Sequence, residues 1–371
     1  MKKIYQIVGL MSGSSLDGLD LACVEFEVDT ADNNQLAWRL LAGQTLPFTP
    51  EWIEILQKLP QANALDFCKT HAQLGHYFGK LTKQFLEAHQ LTPDYIASHG
   101  HTIFHYPQEG FTVQIGDGAA IAATTGISVI SEFRTMDVAL GGQGAPLAPL
   151  ADKFILPGND FYVNIGGIAN ISCNIDGKFI AYDTSAANQI LNNLAHAIGL
   201  EYDDKGSMAA SGAVDEELLK QVNQHSYYQQ PYPKSLDNGW VLQNVLPIFL
   251  QNKASINDKL ATAVEHTAQQ LVFAIQEIIK KENFVKTAYK MVATGGGVFN
   301  DFLIQRIQYH LNKATLAHVE LTLPDTDMIK FKEAILMALM GLRRIENLSN
   351  SIATVTGASR DSSNGAVYLG Q

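Results

Sequence analysis

The chain has 371 residues, 46% of them hydrophobic and 17% charged, which suits two domains or one large α/β unit and excludes a disordered segment. A net charge of −11, with no local Lys/Arg block against it, argues against a nucleic-acid or anionic-membrane surface. Cys23, Cys68 and Cys173 show no CxxC spacing, so a zinc site is not expected and a reducing compartment is.

The opening apolar run Ile4–Leu10 is too short for a secretory leader and reads as a strand. No apolar stretch reaches membrane-spanning length, so the expectation is a soluble, cytoplasmic protein. "GLMSGSSLDGLD" then reads as strand, small polar loop, strand. "WRLLAGQTLPF" is a third strand, and Leu65, Phe67, Leu74, Phe78, Leu81 and Phe85 recur at helical spacing over Ala64–Gln90. His71 and His76 fall on that helix without an acidic partner at metal-ligand spacing.

"PDYIASHGHTIFHYP" reads as strand, turn and return, with His99, His101 and His105 alternating as a hydrogen-bond ladder or, less in keeping with the pattern, a metal site. "FTVQIGDGAAIAATTGISVISEFR" reads as strand, helix, strand. From Arg134 to Asp152 glycine and proline are too frequent for an element interior, and a domain boundary is expected there. The expected domains are 1–133 and 134–371, the final segment being able to pack back on the first.

The second half opens much as the first: "FYVNIGGIANISCNIDGKFI" reads strand, Gly-Gly turn, strand, strand, followed by a helix from about Ala186. "SYYQQPYPKSLDNG" is a polar connection, two helices follow with the longer at about Asn257–Glu282, and "AYKMVATGGGVFNDFLIQRIQYHL" is strand, triple-glycine turn, helix. A last helix is expected over Phe331–Arg343.

Three segments place glycine directly after an apolar strand: Gly13 among Ser12, Ser14 and Ser15; Gly166-Gly167; and Gly295-Gly296-Gly297. Phosphate oxygens need several converging backbone N–H groups, and a Cβ blocks that approach. None of the three matches GxxxxGK[ST] or GxGxxG with a ribose-binding acid, so nicotinamide chemistry is disfavoured. Each loop alone is a tight turn or a phosphate cradle; the three together favour an ATP site.

In this order "GLMSGSSLDGLD", "SHGHTIFHYP", "QIGD", "EFRTMDVALGGQGAPLAP", "NIGGIANIS", "YDTSAANQ", "ATGGGVFN", "KEAI" and "VTGAS" resemble the anhydro-N-acetylmuramic acid kinase family, from Gly9 to Ser359. The resemblance implies two α/β domains of ribonuclease-H type, as in actin and hexokinase, each on a five-stranded mixed sheet, around an ATP cleft. It implies ATP with Mg²⁺, an anhydro amino-sugar substrate, a homodimer, and a role in peptidoglycan recycling. The reaction implied opens the 1,6-anhydro ring with water and phosphorylates O6, giving N-acetylmuramic acid 6-phosphate and ADP.

By the same resemblance Ser12, Gly13, Ser14, Ser15, Leu16, Asp17, Gly18 and Leu19 bind ATP phosphates, and Asp183 is the general base on water. Asp183 alternatively caps the following helix. Asp17 and Asp20 either orient Mg²⁺ waters or hold the turn. Arg134 is a surface ion pair or grips a substrate carboxylate or phosphate. Glu333 and Asp117 either reach the sugar or cap their helices.

The chain departs from the family pattern at Ser14 (Thr), His101 (Gln), Glu132 (Asp) and Ser185-Ala186-Ala187 (Gly-Pro-Gly). The last departure leaves another anhydro sugar, such as levoglucosan, as an alternative substrate. An ATP-binding module without catalysis is a third reading, which Asp183 and Arg134 argue against.

Overall fold

The computed structural model describes residues 2–13, 16–29, 36–314 and 318–370. Its strands among these residues are β1 (Lys2–Ser12), β2 (Gly18–Asp29), β3 (Leu36–Pro47), β4 (Tyr95–Tyr106), β5 (Phe111–Ile115), β6 (Ser128–Ser131), β7 (Phe161–Ile165), β8 (Ile168–Ile175), β9 (Lys178–Ala186), β10 (Ala288–Thr294), β11 (His318–Thr322) and β12 (Ala366–Tyr368). The chain divides into two compact units, Met1–Pro157 with Phe331–Gln371, and Gly158–Lys330.

In the first unit the sheet order is β12-β6-β4-β1-β2-β3, with β5 paired to β4. β1, β2 and β3 form an antiparallel meander, while β4 and β6 continue parallel to β1. The second unit has the order β11-β10-β7-β8-β9, with β7, β8 and β9 antiparallel and β10 and β11 parallel to β7. The cores β3-β2-β1-β4-β6 and β9-β8-β7-β10-β11 therefore share one order and one set of directions, the ribonuclease-H arrangement. The faint sequence echo corresponds to the equivalent hairpins β1–β2 and β7–β8. The first sheet exceeds the expected five strands because β5 and β12 extend it.

β1 is apolar without alternation at Ile7, Val8 and Leu10, all fully buried, because both of its faces are covered. One face packs with Leu74, Phe78 and Phe85 of the helix Ala64–His89, whose N-cap Asn63 accepts from Asp66 N–H. His71 and His76 of that helix bond Gly116 N–H and Thr124 Oγ1, which is structural work. On the other face a Cβ at Gly9 would lie 1.8 Å from Ala334 O, so only glycine admits the helix Thr326–Ile345 there. In the second unit the helix Ile256–Lys281 is buried on nearly every side over its first half and packs on β8 and β9.

Several expectations need correction. The boundary falls at 157/158, not 133/134, while the final segment, from Phe331 onward, belongs to the first unit as the sequence allowed. Within the 93–107 stretch, Tyr95–Tyr106 is one strand, β4, and the return is β5. The Gly/Pro-rich run contains two short helices, Thr135–Ala139 and Ala148–Phe154. Three helices, not two, follow the polar connection, since Pro247 starts a separate short one.

The boundary lies late because Asp137 ties the Gly-rich run into the first unit. Its carboxylate is 1% exposed and accepts from Gly144 N–H at 2.7 Å, Ser351 Oγ at 2.5 Å and Thr356 Oγ1 at 2.8 Å. Gln143 N–H to Thr356 O and Ser359 N–H to Leu140 O close the same junction. The motifs "GGQGAPLAP" and "VTGAS", far apart in sequence, thus form one structure. Asp137→Ala strands three buried donors and is expected to lower stability by about 3 kcal/mol. A urea titration showing an unshifted midpoint would contradict this account.

Candidate functional site

The predicted residues divide between the two units. In the first, Ser12 ends β1 and its Oγ lies 2.9 Å from His101 Nδ1, both side chains buried. Leu16 N–H donates to Gly13 O at 3.4 Å with Leu16 at φ 60°, a tight turn. Ser14 and Ser15 lie outside the described residues. Gly18 has a structural reason, since a Cβ there would stand 2.4 Å from Leu46 O of β3. Leu19 is core.

Asp20 accepts from Thr45 Oγ1 at 2.5 Å. Burial raises its pKa despite that bond, and the negative charges of Asp17 and Glu333 raise it further. Asp17 and Glu333 are therefore each within electrostatic reach of Asp20. Among the described residues no group of three His, Cys, Asp or Glu side chains is placed to hold a metal alone. Mg²⁺ asks for less, one or two carboxylates with phosphate and water completing the shell, and the oxygen donors of Asp17 and Asp20 fit that need.

Arg134 is half-buried, not a surface ion pair. Its Nε–H donates to His99 Nε2 at 2.9 Å and Nη1 to Gly144 O at 2.6 Å. His99 Nδ1 stands 3.0 Å from Gly100 O, and a carbonyl only accepts, so Nδ1 carries the proton and Nε2 is the acceptor. Burial, then the Arg134 charge, hold His99 down to about 3, which keeps this acceptor neutral. Burial also lowers the Arg134 pKa, partly offset by Glu333. A held guanidinium with donors to spare suits an anionic group. Glu333 itself is exposed, on the Thr326–Ile345 helix. Asp117 serves as a cap, accepting from Ala119 N–H at 2.9 Å.

In the second unit Asp183 lies within β9, not at a helix start; the N-cap of the next helix is Ala187, without a side-chain bond. The capping alternative is thereby excluded. The β8–β9 register slips between Ala169 and Asn170, which face Ser185 and Asp183, so Thr184 is the extra residue of a bulge. Asp183 Oδ2 accepts from Leu236 N–H at 2.8 Å, and its carbonyl accepts from Tyr227 Oη at 2.6 Å. Burial raises the Asp183 pKa, while the Leu236 N–H bond opposes the shift. The "polar connection" thus clamps this aspartate, a role the sequence pattern did not reveal.

The glycine turns separate into two kinds. Gly295 (φ 86°) and Gly297 are demanded by packing, their Cβ positions falling 2.7 Å from Ile165 O and 2.3 Å from Ile165 Cγ2. Gly166, Gly167 and Gly296 have no positive φ, and a Cβ on each would meet nothing closer than 3.4 Å. Neither backbone nor packing explains them, whereas close approach of a ligand does. The Gly166 and Gly167 carbonyls also accept from Asn188, Ala187 and Gln189 N–H, occupying the start of the next helix. Beside Gly296 opens a pocket of about 460 Å³ lined by Asn188, Tyr202, Lys205, Phe299 and Asn300, large enough for a nucleoside. The sequence pattern did not reveal this pocket, because its walls come from four separate segments, Thr326 and Lys330 supplying the fourth.

A family model described as anhydro-N-acetylmuramic acid kinase matches residues 5–370. The chain belongs to that family. It is 34% identical to the anhydro-N-acetylmuramic acid kinase of Aliivibrio fischeri, over 97% of this chain and 98% of that one. It is 33% identical to the enzyme of that name from Hydrogenovibrio crunogenus, over 99% and 98%. Among solved structures, a ROK hexokinase from Thermus thermophilus is 13% identical with a TM-score of 0.36, covering 92% of this chain and 100% of its own. Among the described residues, no helix is long and apolar enough to cross a membrane.

The two kinds of glycine give different mutational outcomes. Gly296→Val is expected to stay within about 1 kcal/mol of the parent stability while weakening ATP at least about ten-fold. Gly297→Ala, overpacked against Ile165, is expected to lose about 1–3 kcal/mol. Scanning calorimetry and ATP titration check both, and unchanged ATP affinity in Gly296→Val would make that glycine a mere turn.

Proposed function

We propose that the chain is an ATP-dependent kinase of 1,6-anhydro-N-acetylmuramic acid, with Asp183 as its general base. The observation that carries the base assignment is the bulge at Thr184. It carries a half-buried carboxylate that, among the described residues, accepts a single backbone N–H, from Leu236, on one oxygen. Water gives its proton to Asp183 as its oxygen attacks C1 of the sugar. The C1–O6 bond breaks through an oxocarbenium-like state, and O6 keeps that electron pair. O6 then attacks the γ-phosphorus, ADP departs, and the product is N-acetylmuramic acid 6-phosphate.

In the first unit, Ser12, Gly13, Leu16 and Asp17 of the β1–β2 loop, with Ser14 and Ser15, contact phosphate; Arg134 binds the lactyl carboxylate and Glu333 the sugar. In the second, the pocket beside Gly296 takes the nucleoside, and the bare backbone of Gly166, Gly167 and Gly296 admits the phosphates. Asp17 or Asp20 would hold a Mg²⁺ that would supply charge neutralisation at the phosphates. Asp117, engaged as a cap, contributes least to substrate binding. We further propose a homodimer in the cytoplasm, in peptidoglycan recycling; the reduced state of Cys23, Cys68 and Cys173 suits that compartment.

Asp183→Asn keeps an oxygen for Leu236 N–H but cannot take a proton, so it is expected to fold, bind ATP normally and turn over at least about a hundred-fold more slowly. In ¹⁸O-water the label should enter C1 and not phosphate; label in phosphate would overturn the mechanism. Only the ionised base is active, and burial raises its pKa. Activity should therefore fall with acidification through a pH above about 4, the ordinary aspartate value.

Levoglucosan lacks the lactyl carboxylate, and losing one charge-assisted contact costs roughly 1.5–3 kcal/mol. The expected kcat/KM is therefore about ten- to a hundred-fold lower than for the anhydro amino sugar. Equal values would remove Arg134 from the carboxylate role.

A further inference from the structure

β1 and β4 run parallel in register from Ile7↔Tyr95 to Leu10↔Ser98, and the next pair is Ser12↔His101. Two steps along β1 thus correspond to three along β4. The slip occurs where Gly100 adopts φ 75°, with Ile115 O only 2.7 Å from where its Cβ would be. Simple alternation would give His99 and His101 equivalent surroundings, but across this kink His99 engages Arg134 and His101 engages Ser12. Ser12 lies one residue beyond Met11↔Asp20, the last β1–β2 pair. Its partner at the point where the chain leaves the sheet is His101, through a 2.9 Å bond between groups 3% and 5% exposed.

We propose that His101 is a positioning residue for nucleotide binding, acting through Ser12: it pins the residue from which the phosphate loop departs. The proposal rests on the reading of that loop as an ATP-phosphate contact. Burial lowers the His101 pKa, so the ring is neutral and offers one donor and one acceptor, as the amide of glutamine does. His101→Gln should therefore preserve the pin, and His101→Leu should remove it at similar volume. Arg134 is held separately by His99, so the sugar side should not feel the change.

The test is ATP affinity by calorimetry together with KM for both substrates, in His101→Leu, His101→Gln, Ser12→Ala and the Leu/Ala double variant. His101→Leu is expected to weaken ATP about three- to ten-fold and leave the sugar KM within two-fold. His101→Gln should restore ATP affinity, and the double variant should be no weaker than the worse single one. Unchanged ATP affinity, equal loss for both substrates, or multiplying losses in the double variant would overturn the proposal. If His101→Leu does not fold, His101→Asn decides, since its shorter amide cannot span to Ser12 and it must weaken ATP and spare the sugar. The kinase reading fails separately, through ADP release that does not depend on the sugar, while calorimetry still reports on His101.

Discussion

A β-strand sends successive side chains to opposite faces, and a site needs particular side chains where that alternation does not put them. In each unit one bulge resolves the conflict. The kink at Gly100 turns His99 to Arg134 and His101 to Ser12, so both of these pairs hang from a single left-handed glycine. The extra residue Thr184 in β9 re-aims Asp183 while its Oγ1 donates back to Ala169 O at 3.0 Å, repairing the ladder it interrupts. Bulges are favoured next to functional groups because they redirect a side chain without ending the strand.

Desolvation then sets the charge state of what the bulges aim. It acts in opposite senses on acids and bases, raising Asp20 and Asp183 and lowering His99, His101 and Arg134. For the histidines the result is neutrality, which a hydrogen-bond acceptor beside a guanidinium requires. For Asp183 the result is a stronger base than an exposed aspartate, which proton abstraction from water favours. One physical effect thus leaves His99 a neutral acceptor in one unit and raises the Asp183 carboxylate in the other, as the proposed base requires.

Most of the fold was legible because it rests on local periodicity. The helix read at Ala64–Gln90 is Ala64–His89, and that read at Asn257–Glu282 is Ile256–Lys281. What was not legible depends on distant partners. β12 is three residues long and exists only through its pairing with β6. The division at 157 follows from Asp137 bonding Ser351 and Thr356, more than two hundred residues away in the chain. The site was legible as a list of residues but not as geometry. Asp183 could be read as a cap because the β8 pairing that defines its bulge and the Leu236 N–H that it accepts lie on other segments.

The glycines and the Ser185-Ala186-Ala187 substitution can be judged by one criterion, which is whether backbone or packing demands the residue found. Gly295 and Gly297 are demanded, and Gly166, Gly167 and Gly296 are not, which is the ground on which the second group is proposed to admit a ligand. At 185–187 no residue has positive φ, and Ala187 N–H closes onto Gly167 O at 2.9 Å as β9 ends. No positive φ there asks for glycine, and non-glycine residues narrow the unfolded ensemble. The departure from the family pattern alters how stiffly Asp183 is carried, while the groups that clamp it, Leu236 N–H and Tyr227 Oη, come from elsewhere and are untouched.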